Sequence, residues 1–192
     1  MTTPLELPIK AFKTPQLWEQ WLKLHHAKST GVWIRFYKKA SGGKSMYYAE
    51  ALDVALCYGW IDSQAKTHDE KSYIQRFTPR GPRSIWSKIN IGHVERLIKS
   101  RKMRVAGLRA IAAAKADGRW DRAYDSPKSM TVPADFLKVL KQNKAAAQFF
   151  KTLNKTNTYA IAWRLQTAKK PETRERRMRI ILEMLARGEK FH

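Results

Sequence analysis

Arginine next to aromatic side chains handles phosphates and bases together: the cation neutralises phosphate, and a flat ring offers a stacking plane worth about 1 to 3 kcal/mol per base. The sequence concentrates that pairing in Trp60-Ile61-Asp62 and in Arg76-Phe77-Thr78-Pro79-Arg80-Gly81-Pro82-Arg83-Ser84-Ile85-Trp86-Ser87-Lys88-Ile89-Asn90. With Trp33 and Lys38 from the preceding strand, the candidate ligand-binding residues are Trp33, Lys38, Trp60, Asp62, Arg76, Arg80, Arg83, Trp86, Ser87, Lys88 and Asn90. Ser87 and Asn90 fall where a helix begins, so its N–H groups can join an anion pocket. The same residues also fit a plainer arrangement, with Trp60, Phe77 and Trp86 in the core and Asp62 pairing with an arginine to hold the loop.

A second basic run, Lys169-Lys170-Pro171-Glu172-Thr173-Arg174-Glu175-Arg176-Arg177-Met178-Arg179, spreads Lys169, Lys170, Arg174 and Arg177 over the solvent side of an amphipathic helix. Such a face can ride along a phosphate backbone or simply be solvated, with Glu172 and Glu175 as partners.

Other chemistry has weaker support. Ser41-Gly42-Gly43-Lys44-Ser45 invites a phosphate-loop reading, but that motif needs glycine where Lys38 stands, so a basic loop is the better expectation. Glu50 and Asp53 lie three apart on one helix and can converge as a carboxylate pair, although solvated helix surface is the commoner meaning. His25, His26, His68, His93 and His192 show no metal spacing with the single cysteine, Cys57. No nucleophile has an evident base and orienting acid near it in sequence, so no catalytic residue, metal or cofactor is assigned.

Composition narrows the partner. Thirty-eight Lys and Arg against sixteen Asp and Glu leave a formal charge of +22, a self-repulsion usually tolerated beside a polyanion, nucleic acid being the obvious one. The opening Met-Thr-Thr-Pro-Leu-Glu-Leu-Pro lacks the apolar stretch of a secretory leader, no segment reaches the roughly 20 apolar residues of a membrane helix, and a lone cysteine suits a reducing compartment. A cytoplasmic protein is the expectation.

The elements that must position these residues follow from periodicity. A helix is predicted over 14–27, with Thr14 as N-cap and Pro15 at its first position, then a strand over 32–37 and a helix from a Ser45 cap to about Tyr58. A hairpin follows over 60–67 and 72–78, then a stiff loop with two prolines, and helices from Asn90 and over 105–117. Asp121 to Val132 reads as a linker before helices over 133–142, 145–153, 158–168 and 171–186. The expected fold class is α+β: a small, mostly antiparallel sheet packed by helices in residues 1–120, a linker over 121–132, and an all-helical part over 133–192.

Several ordered blocks, Gly31-Val32-Trp33-Ile34, Lys38-Lys39, Tyr48-Ala49-Glu50-Ala51-Leu52, Ala55-Leu56-Cys57-Tyr58-Gly59-Trp60-Ile61-Asp62, Arg76-Phe77-Thr78-Pro79-Arg80, Ser84-Ile85-Trp86-Ser87-Lys88-Ile89-Asn90 and Val94-Glu95-Arg96-Leu97-Ile98, together with Ala168-Lys169-Lys170-Pro171-Glu172-Thr173-Arg174-Glu175-Arg176-Arg177, resemble the YdeI/OmpD-associated family, also labelled bacteriocin-protection proteins. The chain departs from the pattern at Trp163-Arg164-Leu165, where isoleucine or valine would follow the tryptophan. The resemblance implies a role in tolerance of bacteriocins or envelope stress, through a protein or peptide partner, with no agreed reaction. Three functions therefore compete: a non-catalytic polyanion binder, an envelope-stress protection protein, and a small-molecule enzyme using Asp62.

Overall fold

The computed structural model describes residues 7–192. The leader reading above rests mostly on residues 1–6, which lie outside them. Two compact units divide the chain, one built from residues up to Trp86 plus Asn90–Arg122, the other from Ser87–Ile89 plus Ala123–His192.

The first unit begins with a short strand, β1 (Ile9–Lys10), and helix α1 (Pro15–His25), whose N-terminus is capped by Thr14 Oγ1 accepting the Leu17 N–H. Strand β2 (Val32–Tyr37), helix α2 (Tyr48–Cys57) and the strands β3 (Trp60–Asp69) and β4 (Ser72–Pro79) follow, then helices α3 (Lys88–Lys99) and α4 (Val105–Ala116). The sheet order is β1-β2-β4-β3, antiparallel except for the β1–β2 pair. β1 escaped the sequence reading because two residues carry no alternation; its place is fixed by pairing of Ile9 with Trp33 and Lys10 with Ile34. The edge strand β3 slips register against β4 twice, between Asp62 and Ala65 and between Thr67 and Asp69.

β2 shows why its residue order builds a face. Val32, Ile34 and Phe36 are buried while Trp33, Arg35 and Tyr37 are half-buried, the two-residue period of a strand with one side in a core. On the core side Trp18 and Leu22 of α1 are fully buried, and Trp18 packs against Trp21, Trp60 and Phe77 at ring separations of 5.3, 6.1 and 5.8 Å. Both buried indoles in this cluster satisfy their N–H groups, Trp18 on Ala51 O and Trp60 on His26 O.

α2 is capped at Tyr47, two residues later than the expected Ser45. Ser45 instead accepts the Tyr37 N–H, and the Tyr47 N–H is taken by the carboxylate of Glu50. The end of α2 and the start of α4 approach very closely: a Cβ on Gly107 would stand 2.3 Å from Cys57 O, and Gly59, at φ +73°, turns the chain out of α2 beside Ala106 O.

The second unit holds α5 (Ala134–Gln142), α6 (Lys144–Phe150), α7 (Lys155–Gln166) and α8 (Pro171–Ala186). Phe136, Leu140, Ile161, Leu165, Ile181 and Leu185 form its core. Asn157, almost wholly buried, exchanges hydrogen bonds with the backbone of His192 and so ties down the chain end. The fold is α+β, with a mixed, mostly antiparallel sheet in the N-terminal part and helices C-terminal to it. Among the described residues, no helix is long and apolar enough to cross a membrane.

Candidate nucleic-acid interface

Antiparallel partners share a face, so the ladder sorts the side chains of the sheet. Trp33 stands opposite Arg76, Arg35 opposite Ile74 and Tyr37 opposite Ser72, while Lys66 pairs with Ile74 from the other side. The outer face of the sheet therefore carries Trp33, Arg35, Tyr37, Lys66 and Arg76 together. Rings and cations are already in register: Lys66 Nζ lies 5.1 Å from the Trp33 ring and the Arg35 guanidinium 4.7 Å from that of Tyr37. Arg35 also donates to Ser72 Oγ at 2.9 Å and to Asp69 at 2.6 Å. Ser72 and the Lys71 N–H bind the same Asp69 carboxylate, holding it below the usual carboxylate range. Lys38, the residue after β2, is exposed, and its N–H is fixed on Lys71 O. Arg76 is half-buried, and its Nε has no hydrogen-bond partner among the described residues.

Of the residues expected to gather around one basic and aromatic cleft, Trp33 and Arg76 come together here, Lys38 is exposed just beyond β2, and the others do not join them. Trp60 is 1% exposed and Trp86 2%, so neither ring is available as a stacking plane. The reason is packing: Trp60 belongs to the Trp18 cluster, and Trp86 is closed in by Trp120 at 5.0 Å and by the Arg80 guanidinium 3.6 Å over its ring. Arg80 further donates to Ile85 O, and the nearly buried Arg119 donates to Gly81 O and Ser84 O, so the loop is clamped on itself. Arg83 is exposed on that loop. Asp62 faces the core side, where Tyr48 O–H at 2.8 Å and Gln75 Nε2 at 3.1 Å both donate to one carboxylate oxygen; it ties the first residue of α2 to the sheet.

Ser87 and Lys88 fall in the second unit. The Lys88 N–H is spent on Tyr124 O, and its ammonium sits 2.7 Å from Asp125, so the first turn of α3 does not offer those groups to an anion. Asn90, half-buried, lies in that same first turn of α3. Glu50 and Asp53 do not converge either: Glu50 closes the start of α2, and Asp53 binds Arg96 at 2.7 Å beside His93. The 41–45 segment follows a 3-10 turn, Lys39–Ser41, and a Cβ on Gly43 would clash with the Tyr37 ring. Among the described residues no group of His, Cys, Asp and Glu is placed to hold a metal ion.

Residues 10–110, more than half of the chain, match the family described as Domain of unknown function (DUF8412). The chain belongs to DUF8412. The whole sheet and its outer face lie in the DUF8412 region except for Ile9, the first residue of β1. Residues 129–188 match the family described as Bacteriocin-protection, YdeI or OmpD-Associated, which bears out the resemblance drawn from the sequence. Comparison with curated proteins and with solved structures finds no match.

C-terminal to the DUF8412 region, the expected second basic face is partly consumed by structure. Arg174 binds the Asp135 carboxylate with both terminal nitrogens, and Arg177 donates to Arg164 O at 2.6 Å. Lys169 and Lys170 remain exposed at the start of α8. Within the DUF8412 sheet, sequence reasoning missed Arg35, Tyr37 and Lys66. The signal for the first two was present in the alternation of Val32-Trp33-Ile34-Arg35-Phe36-Tyr37; Lys66 needed the register of the irregular hairpin.

Proposed function

We propose that this chain is a non-catalytic binding protein for a polyanion, single-stranded nucleic acid above all, and that the outer sheet face is where it binds. The observation that carries this reading is the juxtaposition of Trp33, Arg76, Lys66, Arg35 and Tyr37 on one half-exposed side of an antiparallel sheet. Sheet faces that set aromatics among cations serve single strands because unpaired bases can splay onto the rings while their phosphates meet the cations. The +22 balance supplies the long-range attraction. The engagement of Asp62 with Tyr48 and Gln75 supports reading it as an anchor in place of a reacting group.

The test is anisotropy with labelled single-stranded DNA and RNA over a salt series. With Arg35, Lys66 and Arg76 each releasing counterions, the log–log slope is expected to be about −2, at roughly −0.7 per contact. Trp33→Ala is expected to weaken binding by about 1 to 3 kcal/mol. No binding at low salt, or binding that Trp33→Ala and Arg76→Gln leave unchanged, overturns the reading.

The family match over residues 129–188 favours a second reading, protection against bacteriocins or envelope stress through a protein or peptide partner. Deleting the gene and challenging cells with bacteriocins separates the two, since unchanged sensitivity counts against this one.

A further inference from the structure

A second basic concavity lies in the first unit, away from the residues used so far. Its volume is about 710 Å³, within the range that holds small ligands, and it is lined by Glu19, Lys23 and His26 of and after α1, by Tyr58 at the end of α2, and by Arg104 and Arg109 at the start of α4. Three permanent cations thus face one carboxylate. That carboxylate is already engaged: Arg104 donates to Glu19 Oε1 through Nε at 3.2 Å and through Nη2 at 2.5 Å, and Tyr58 O–H reaches the same oxygen at 3.5 Å. Among the described residues neither Lys23 nor Arg109 forms an ion pair. His26 Nδ1 lies 2.9 Å from Leu22 O, which can only accept, so Nδ1 carries the proton and donates it.

We infer that this cleft binds a small phosphate-bearing molecule, with Lys23 and Arg109 as its ion-pair partners and Glu19 as a resident carboxylate that the ligand displaces from Arg104. A diffuse basic surface would not need side chains from three helices, Glu19 and Arg109 being 90 residues apart in sequence, to converge on one hollow. Nor would it set a lone acid where several cations converge. A carboxylate that accepts from an arginine fork and a phenol occupies the kind of position a phosphate oxygen fills. The volume exceeds that of bare phosphate and leaves room for an organic group beside the Tyr58 ring.

The experiment titrates the full chain with inorganic pyrophosphate, and in a second arm with a nucleoside monophosphate, by calorimetry at about 0.15 M salt, where surface charge is screened beyond about 8 Å. One saturable site is expected. Lys23→Gln and Arg109→Gln are each expected to weaken it about tenfold, as loss of a charged hydrogen bond does. Glu19→Gln is expected to tighten it by about the same factor, because it frees Arg104 and removes the competing charge. Tighter binding of the monophosphate than of pyrophosphate would assign the organic group to the cleft; equal binding would leave phosphate alone as the recognised part, and either supports the site. Trp33→Ala and Arg76→Gln, which test the sheet face, are expected to leave this binding unchanged. Absence of saturable binding, indifference to both Lys23→Gln and Arg109→Gln, or weaker binding by Glu19→Gln overturns the proposal.

Discussion

Cys57 shows how much a single side chain owes to its surroundings. It ends α2 almost fully buried, and burial first, then the nearby Asp53 and Glu19 carboxylates, push its thiol up to about 11. At pH 8 a thiol of that pKa is about one part in a thousand thiolate, against roughly a quarter for a free cysteine. Alkylation by iodoacetamide is therefore expected to run at least about 100-fold slower in the native chain than in urea; mass spectrometry of a timed reaction checks it, and equal rates would mean that the thiol is neither buried nor raised. At this scale the sequence was only half legible. Trp60, Trp86 and Asp62 have the right chemistry for a binding site, yet residue type does not reveal burial, and the structure spends two of them in cores and the third on two hydrogen-bond donors.

Helices and strands were legible to the extent that each carries its own pattern. The strand β2, the Thr14-Pro15 start of α1 and the helix α8 all appear as expected, because each depends on neighbours within a few residues. Whatever depends on a distant partner was hidden: β1, the face on which Lys66 lands, and the contact of α2 with α4. That contact gives a test in which two effects oppose. Replacing a helical glycine with alanine gains about 1 kcal/mol of helix propensity, and Gly92 in α3, with nothing within 4 Å of its missing Cβ, is expected to be stabilised by Gly92→Ala by about 0.5 to 1 kcal/mol. At Gly107 the new methyl would meet Cys57 O at 2.3 Å and Leu56 O at 2.8 Å, both backbone atoms. Overpacking of that kind costs about 1 to 3 kcal/mol, so Gly107→Ala is expected to lose stability in spite of its propensity. Urea unfolding of the two variants checks the opposite signs.

Across the whole molecule, sixteen acids are set among thirty-eight Lys and Arg, and several are tied to cations or other donors. Asp135 is held below its ordinary pKa chiefly by its hydrogen bonds from Arg174, Asp125 by those from Lys88 and Gln166, and Asp69 by that from Ser72. A carboxylate with a depressed folded-state pKa contributes stability that is present above the unfolded value, about 3.9, and lost as pH falls through the folded one. Stability is therefore expected to drop below about pH 4, and more steeply than in Asp135→Asn, which has given up its share already. Urea midpoints measured between neutral and acid pH check this, and a variant that keeps the full acid dependence would mean that the Asp135 pair contributes nothing.

The two register slips in β3 bear on how such a chain stays dispersed. A ten-residue strand at the border of a sheet exposes a line of unpaired backbone donors and acceptors, which invites a neighbouring molecule to extend the sheet. Each slip interrupts the spacing a docking strand would have to match, and the exposed stretch from Ser63 to Thr67 includes the charge of Lys66, which a second copy would have to bury or repel. The irregularity that hid Lys66 from the sequence reading thus also guards against sheet-to-sheet polymerisation.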